Sequence, residues 1–187
     1  MTNLATLDAY GALIEPAALK LERLLPGPIE RVWDYLTDSE KRARWFAGGP
    51  IELRPGGQVT LNFRHKNLVP DETPPEEYQK HHDPGSSMTG IVTRCEPPRL
   101  LAFTFGGDGE SEARFELTPQ GKDVLLVLTH RAWGGDLPFM ADFGAGWHAH
   151  VAHLIALLEG APRPPFWPLH TQLKAYYEKL RVAAQSA

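Results

Sequence analysis

Histidine is the one reactive residue type that clusters in this sequence. His148, His150 and His153 form His-x-His-x-x-His inside an apolar-periodic run. At 3.6 residues per turn, positions 148 and 150 fall ~200° apart on a helix, so those two cannot share a metal ion. His150 and His153 lie about one turn apart and could share one, but only with a third ligand such as His65, His81, His82 or His130. The pair lacks flanking carboxylates, so no metal site is assigned. In the plainer arrangement His148 faces solvent and His150 sits at the edge of the apolar stripe. His130 ends one apolar strand pattern and His65 another, both within reach of Trp147 and His150. A few polar groups in an apolar cavity fix a ligand's orientation. Any one buried histidine is as readily a core residue bonded to backbone.

Other chemistries find no signature. There is no Gly-x-Ser-x-Gly, and Ser86-Ser87 falls in an irregular stretch. No Gly-x-Gly-x-x-Gly opens a helix and no Walker sequence occurs, so no nucleotide or other cofactor is expected. Asp136 and Asp142 flank Phe139-Met140 without a partner of matched role. No catalytic residue is assigned.

The elements that must position these residues read as follows. Leu19 and Leu21 alternate with Lys20 and Glu22, predicting a strand over 18–25. Ile29, Val32, Trp33 and Leu36 predict an amphipathic helix beginning at Pro28. Thr37-Asp38-Ser39-Glu40 reads as a capping box that restarts the chain as a second short helix, stopped at Gly48-Gly49. Five further strands are expected, over 59–65, 88–95, 99–105, 112–117 and 124–130, as an antiparallel meander. The stretch 66–87 breaks this pattern with four prolines and reads either as a mobile lid or as a tolerated insertion. Phe143, Trp147, Val151, Leu154 and Leu158 predict one long helix over 139–160. A connector over 161–168 leads to a tail helix with Leu169, Leu173, Tyr176, Tyr177 and Leu180 on one stripe. Residues 1–161 are expected to form one domain, with 1–15 a loosely held arm, and 162–187 the connector and tail.

Bulk numbers narrow the function classes. The 187 residues are 42% hydrophobic and 22% charged, as in an ordinary globule. Net charge is 19 − 23 = −4, which argues against a general electrostatic hold on nucleic acid or an anionic membrane. No run of ~18 apolar residues could span a bilayer. No signal peptide is visible, and the single Cys95 excludes an internal disulfide framework. A cytoplasmic location is expected.

The stretch Glu-Arg-Val-Trp-Asp-Tyr-Leu-Thr-Asp from Glu30, followed by Arg-Ala-Arg-Trp-Phe from Arg42, resembles the activator-of-Hsp90-ATPase-like branch of the START/Bet v 1-like (SRPBCC) superfamily. The resemblance runs from about Leu19 to Leu158. It implies an α+β helix-grip fold, with a curved antiparallel sheet wrapped round the long C-terminal helix and two short helices after the first strand. Gly146-Trp147 resembles the Gly-Trp that opens that long helix. The resemblance further implies a cavity between sheet and helix. Its walls would come from Trp45, Phe46, Phe63, His65 and Met88, from Phe103, Phe105, Phe115, His130 and Trp133, and from Phe143, Trp147, His150 and Leu154. The function expected is non-enzymatic binding of a small apolar molecule. The alternatives are an Hsp90-type chaperone partner and an enzyme of the same fold acting on an apolar substrate. The eukaryotic activators carry an additional N-terminal domain, for which the ~18 residues before the first strand leave no room, so the chaperone reading ranks second. A homodimer through the tail helix is a further expectation.

Overall fold

Two short helices form a corner that the rest of the chain packs against. The computed structural model describes residues 11–15, 17–106, 109–133 and 140–185. Helix α1 (Ile29–Thr37) buries Ile29, Val32, Trp33 and Leu36, the stripe that the spacing predicts. Helix α2 (Ser39–Ala43) is capped by Asp38, whose Oδ1 accepts from Lys41 N at 2.8 Å. Thr37, the cap expected from the capping-box pattern, instead donates its hydroxyl back to Trp33 O. The buried Arg42 guanidinium donates to the carbonyls of Leu36, Thr37, Ala47 and Gly49. It thereby satisfies carbonyls that the end of α1 leaves without helical partners. That knot fixes the Trp45-Phe46 turn, and Trp45 is locked further by its indole N–H donating to Tyr35 O at 2.8 Å.

Seven strands make one antiparallel sheet in the order β1-β2-β7-β6-β5-β4-β3. They are β1 (Ala12–Glu15), β2 (Ala18–Pro26), β3 (Gln58–Phe63), β4 (Ser86–Glu96), β5 (Leu100–Phe105), β6 (Ser111–Gln120) and β7 (Asp123–Ala132). Strict alternation in β6 and β7 puts Ala113, Phe115, Leu117, Leu126, Leu128 and His130 on the core face. The first strand was not foreseen: residues 12–15, read as part of a loose arm, pair with β2, and residues 1–10 lie outside the described residues. At the other edge, residues 48 and 51 bridge to Asn62 and Val59 alongside β3.

The expected helix-grip arrangement is corrected here. The sheet is open and is not curled round one helix: β1 and β3 are its two ends, and no ladder joins them. The physical reason is a second long helix. Helix α5 (Met140–Glu159) packs on the sheet, and helix α6 (Phe166–Gln185) lies against α5, adding Leu173 and Tyr177 to the core. Stacked outside α5, α6 shields the side of α5 that a curled sheet would otherwise have to cover. Helix α5 is accordingly buried on nearly every side, between the sheet and α6. The two helices meet at Gly144, where a Cβ would lie 2.7 Å from the Tyr177 ring.

Two more expectations change. The 66–87 stretch, which breaks the strand pattern, carries helix α3 (His65–Leu68) and helix α4 (Glu76–His82). His65 therefore opens α3 and does not continue β3. Helix α6 begins inside the presumed connector, at Phe166, with Pro168 in its first turn. Proline is tolerated there because first-turn N–H groups have no helical acceptor. Glu72 supplies the missing cap: its two carboxylate oxygens accept from Phe166 N at 2.9 Å and Trp167 N at 2.8 Å.

Candidate functional site

Four histidines, His130, His148, His150 and His153, are hydrogen-bonded around α5, and three of their tautomers are fixed by those bonds. Trp147 Nε1–H donates to His130 Nδ1 at 2.8 Å. His130 therefore carries its proton on Nε2 and donates it to Ser111 Oγ at 2.9 Å; that hydroxyl in turn donates to Phe105 O. This chain is fully paired and sealed, with His130 0% exposed. Burial pushes the His130 pKa down to about 3. His150 Nδ1 lies 2.7 Å from Trp45 O; a carbonyl only accepts, so Nδ1 carries the proton. His153 Nε2 bonds Pro164 O in the same manner. His148, expected at the surface, is buried between Arg23, 3.0 Å from its Nε2, and the Tyr177 hydroxyl. The reason is again α6, which covers the side of α5 that the sequence pattern leaves to solvent.

A cavity of about 200 Å³ opens where the ends of β3 and β5 meet α5 and α6. Its α5 wall is Phe143, Gly146, Trp147 and His150, with Asp142 at the rim. Positions 143, 146, 147 and 150 recur at threes and fours, so one helix face supplies them. Phe63 and Phe105 close it from the strand ends, and Phe46 from the α2 corner. His65, Tyr78, Phe166, Trp167 and His170 form the remaining side, from α3, α4 and α6. The rings interlock: Phe46 lies 4.7 Å from Trp147, Phe105 is edge-on to Phe143 at 5.8 Å, and Tyr78 stacks on Trp167 at 5.2 Å. Such offset and edge-to-face contacts are the favoured aromatic geometries.

The cavity's polar groups are few. Asp142 Oδ1 accepts from Tyr78 Oη at 2.6 Å and from Lys174 Nζ at 2.9 Å. Burial, with the bond to Asp142, pushes the Tyr78 hydroxyl up to about 12. Burial and the neighbouring histidines push His65 down to about 4. Burial also lowers His150, His153 and His170, so all are neutral at pH 7. The ring nitrogens Trp167 Nε1 and His170 Nδ1 are buried without a partner. Among the described residues no group of three or more His, Cys, Asp or Glu side chains has an arrangement that could hold a metal ion.

Of the residues expected at a cavity, Phe46, Phe63, His65, Phe105, Phe143, Trp147 and His150 line this one. The others do not. Trp45 and Leu154 are sealed in the core, and Phe103 stacks on Phe115 beneath Trp147. His130 lies behind Trp147 as its hydrogen-bond partner. Met88 pairs across from Leu61 and packs on the core. Trp133 is 50% exposed beyond the end of β7. Sequence reasoning missed Tyr78, Asp142, Gly146, Phe166, Trp167 and His170. Phe166, Trp167 and His170 share one helix face, a signal present in the sequence but hidden by reading its prolines as a connector. Gly146-Trp147, expected to open the long helix, lies in its second turn.

No helix among the described residues is long and apolar enough to cross a membrane. Among solved structures, the chain is similar to a Bordetella parapertussis protein known from solution NMR, at 45% identity over 91% of this chain and 90% of that one, with a TM-score of 0.78. It is also similar to CalU16 of Micromonospora echinospora, at 22% identity over 92% and 95%, TM-score 0.64. The Aha1 dimer of Colwellia psychrerythraea matches at 18% identity over 76% and 96%, TM-score 0.56. The last two show likeness of fold alone. No curated protein matches the chain. Residues 26–159 match the family described as Activator of Hsp90 ATPase homolog 1-like protein, so the chain belongs to that family, within the Bet v 1-like superfamily.

Proposed function

We propose that this protein binds a small, largely apolar, ring-shaped molecule in the α5–α6 cavity and does not transform it. The observation that carries this reading is the lining: aromatic rings from the α2 corner, two strand ends and three helices converge on one unfilled space. Its volume of about 200 Å³ sets the size of the guest. An apolar cavity of ~150 Å³ takes benzene, so this one suits one ring or two fused rings. It is smaller than the ~300–1,000 Å³ of pockets for drug-sized ligands. The apolar walls select for size and shape, and the few polar groups fix orientation.

Gly146 provides the test. It lines the cavity, and a Cβ built there meets nothing within 4 Å. Gly146→Leu should fill the space without a clash. Titration of the wild-type protein with indole or naphthalene, followed by calorimetry and tryptophan fluorescence, should show saturable binding that Gly146→Leu abolishes. Binding unaffected by the plug would place the ligand elsewhere.

The family match favours a second reading, a partner of an Hsp90-type chaperone. It predicts that added protein changes the chaperone's ATP turnover; titration without such a change removes it. The enzyme reading has weaker support, because His130 is sealed behind Trp147 and its one proton and its lone pair are both committed. A homodimer through α6 would use its outer side, where Val182 is exposed, since Leu173 and Tyr177 are buried within the chain. Sedimentation of the wild type against Val182→Glu tests it: the expected result is a dimer that the charge dissociates.

A further inference from the structure

We propose that the cavity's ligand is a hydrogen-bond donor, a one- or two-ring molecule carrying an O–H or ring N–H that bonds to Nε2 of His150. This rests on the cavity-binding reading and specifies its ligand class.

The argument starts from the backbone. Trp45 O can only accept, so the His150 nitrogen 2.7 Å from it carries the proton. A neutral imidazole has one proton, and the other nitrogen then offers a lone pair. Trp45 is immobilised by its own indole bond to Tyr35 O within the Arg42-tied corner, so this tautomer is built into the fold. The imidazole is held in place by rings on three sides: Phe46 at 5.1 Å, Phe166 at 4.8 Å and His65 at 5.3 Å. His150 is 4% exposed and lines the cavity, and its Nε2 has no hydrogen-bond partner among the described residues. Protonation, which would turn Nε2 into a donor, is opposed by burial and by the neighbouring histidines.

Of the other polar groups, Trp167 Nε1–H is a buried donor without a partner and calls for an acceptor, while the charged groups favour a neutral ligand. The Oδ1 atom of Asp142 accepts from Tyr78 and Lys174, and the Lys174 ammonium offsets the carboxylate's charge, which makes it a poor anchor for a second cation. His65, the nearest polar neighbour of His150, is uncharged at neutral pH and adds one donor and one acceptor. Among the described residues the lining holds no cation, and Lys174 behind it is already bonded to Asp142 and Tyr78. A neutral ring with one donor therefore matches the lining better than a pure hydrocarbon, a carboxylate or an amine.

Indole and benzofuran have nearly the same shape and differ in the N–H. The wild-type protein should bind indole about tenfold more tightly than benzofuran, the scale of one net hydrogen bond. His150→Asn keeps a donor for Trp45 O at the Nδ1 position and removes Nε2; it should bind both probes equally. His150→Gln, whose amide oxygen can stand near the Nε2 position, should retain part of the preference. In ¹⁵N spectra of the wild type, the His150 Nε2 signal should lie in the unprotonated range and move upfield with indole but not with benzofuran. This readout holds even if a variant fails to fold. Equal binding of both probes by the wild type would overturn the donor requirement and leave the cavity reading standing. A preference that survives in His150→Asn, or an Nε2 signal that ignores indole, would assign the acceptor elsewhere and overturn the proposal. Binding of neither probe would remove the cavity reading and this proposal together.

Discussion

His130 and Trp147 show how a residue that sequence reasoning places at a ligand site can serve that site from behind. Trp147 lines the cavity while its N–H is committed to His130, and His130 donates its own N–H to Ser111. The pair fixes the ring's plane, so the cavity wall is rigid at that point. Its cost appears in acid. Unfolded, His130 takes up a proton near pH 6.5; folded, it does so only near pH 3, because burial opposes the charge. Between those values the unfolded chain binds more protons, so stability falls as pH falls, by ~1.4 kcal/mol per pH unit for this one group. His65, depressed to about 4, and the lowered His150, His153 and His170 act in the same direction. The urea midpoint should therefore be full above pH 6.5 and drop steeply between pH 6.5 and pH 4. His130→Asn should be less stable at pH 7 but show a shallower slope; an unchanged slope would mean that His130 is not held neutral.

At the scale of elements, two glycines two positions apart on α5 do opposite work. Gly144 lets α5 approach α6, with the Tyr177 ring where a Cβ would stand. Gly146 faces open space. Replacing glycine by alanine in a helix interior gains ~1 kcal/mol of propensity. At 146 that gain stands alone, so Gly146→Ala should stabilise by ~0.5–1 kcal/mol. At 144 overpacking of ~1–3 kcal/mol outweighs it, so Gly144→Ala should destabilise. Equal signs in thermal denaturation would refute this division. Glu72 is the second element-scale device. It joins the 66–87 stretch to the start of α6 by two backbone N–H bonds, and Lys174 joins the two again through Glu77 and Tyr78. Glu72→Ala should cost ~1 kcal/mol, the usual worth of a helix cap, and should raise amide exchange at Phe166 and Trp167. Exchange unchanged at those two amides would show that the cap does not hold them.

For the whole molecule, α6 decides the architecture. It buries Phe166, Trp167, Leu173 and Tyr177, and its N-terminal end forms one wall of the cavity. Truncation after Pro162 would strip the cover from α5, exposing His148 and the Tyr177-facing side at Gly144. The shortened chain should be destabilised by several kcal/mol, since each large buried side chain is worth ~1.5–3 kcal/mol. It should also associate or precipitate through the uncovered face. A truncated chain with the wild type's melting temperature and oligomeric state would show that α6 is dispensable.

The sequence by itself determined much of the local structure. Period-two alternation in β6 and β7 and the i, i+3, i+4, i+7 stripe of α1 are intrinsic to the chain, because each pattern suits one backbone period only. The α5 stripe likewise puts Phe143 and Trp147 on one face, with His150 at its edge, by helical spacing alone. The fold of the stretch around Glu30 and Arg42 was legible through its resemblance to a family. What only the tertiary structure decided is how these faces are partnered. Nothing local says that α6 returns to lie on α5, yet that contact buries His148, makes a curled sheet unnecessary and supplies Trp167 and His170 to the cavity. Nor could spacing tell that His130 would stand behind Trp147 while Trp133 faced water, since both sit at the end of one strand. Which side of a residue meets void, core or solvent depends on elements distant in the sequence, and burial free energy is shared among all of them.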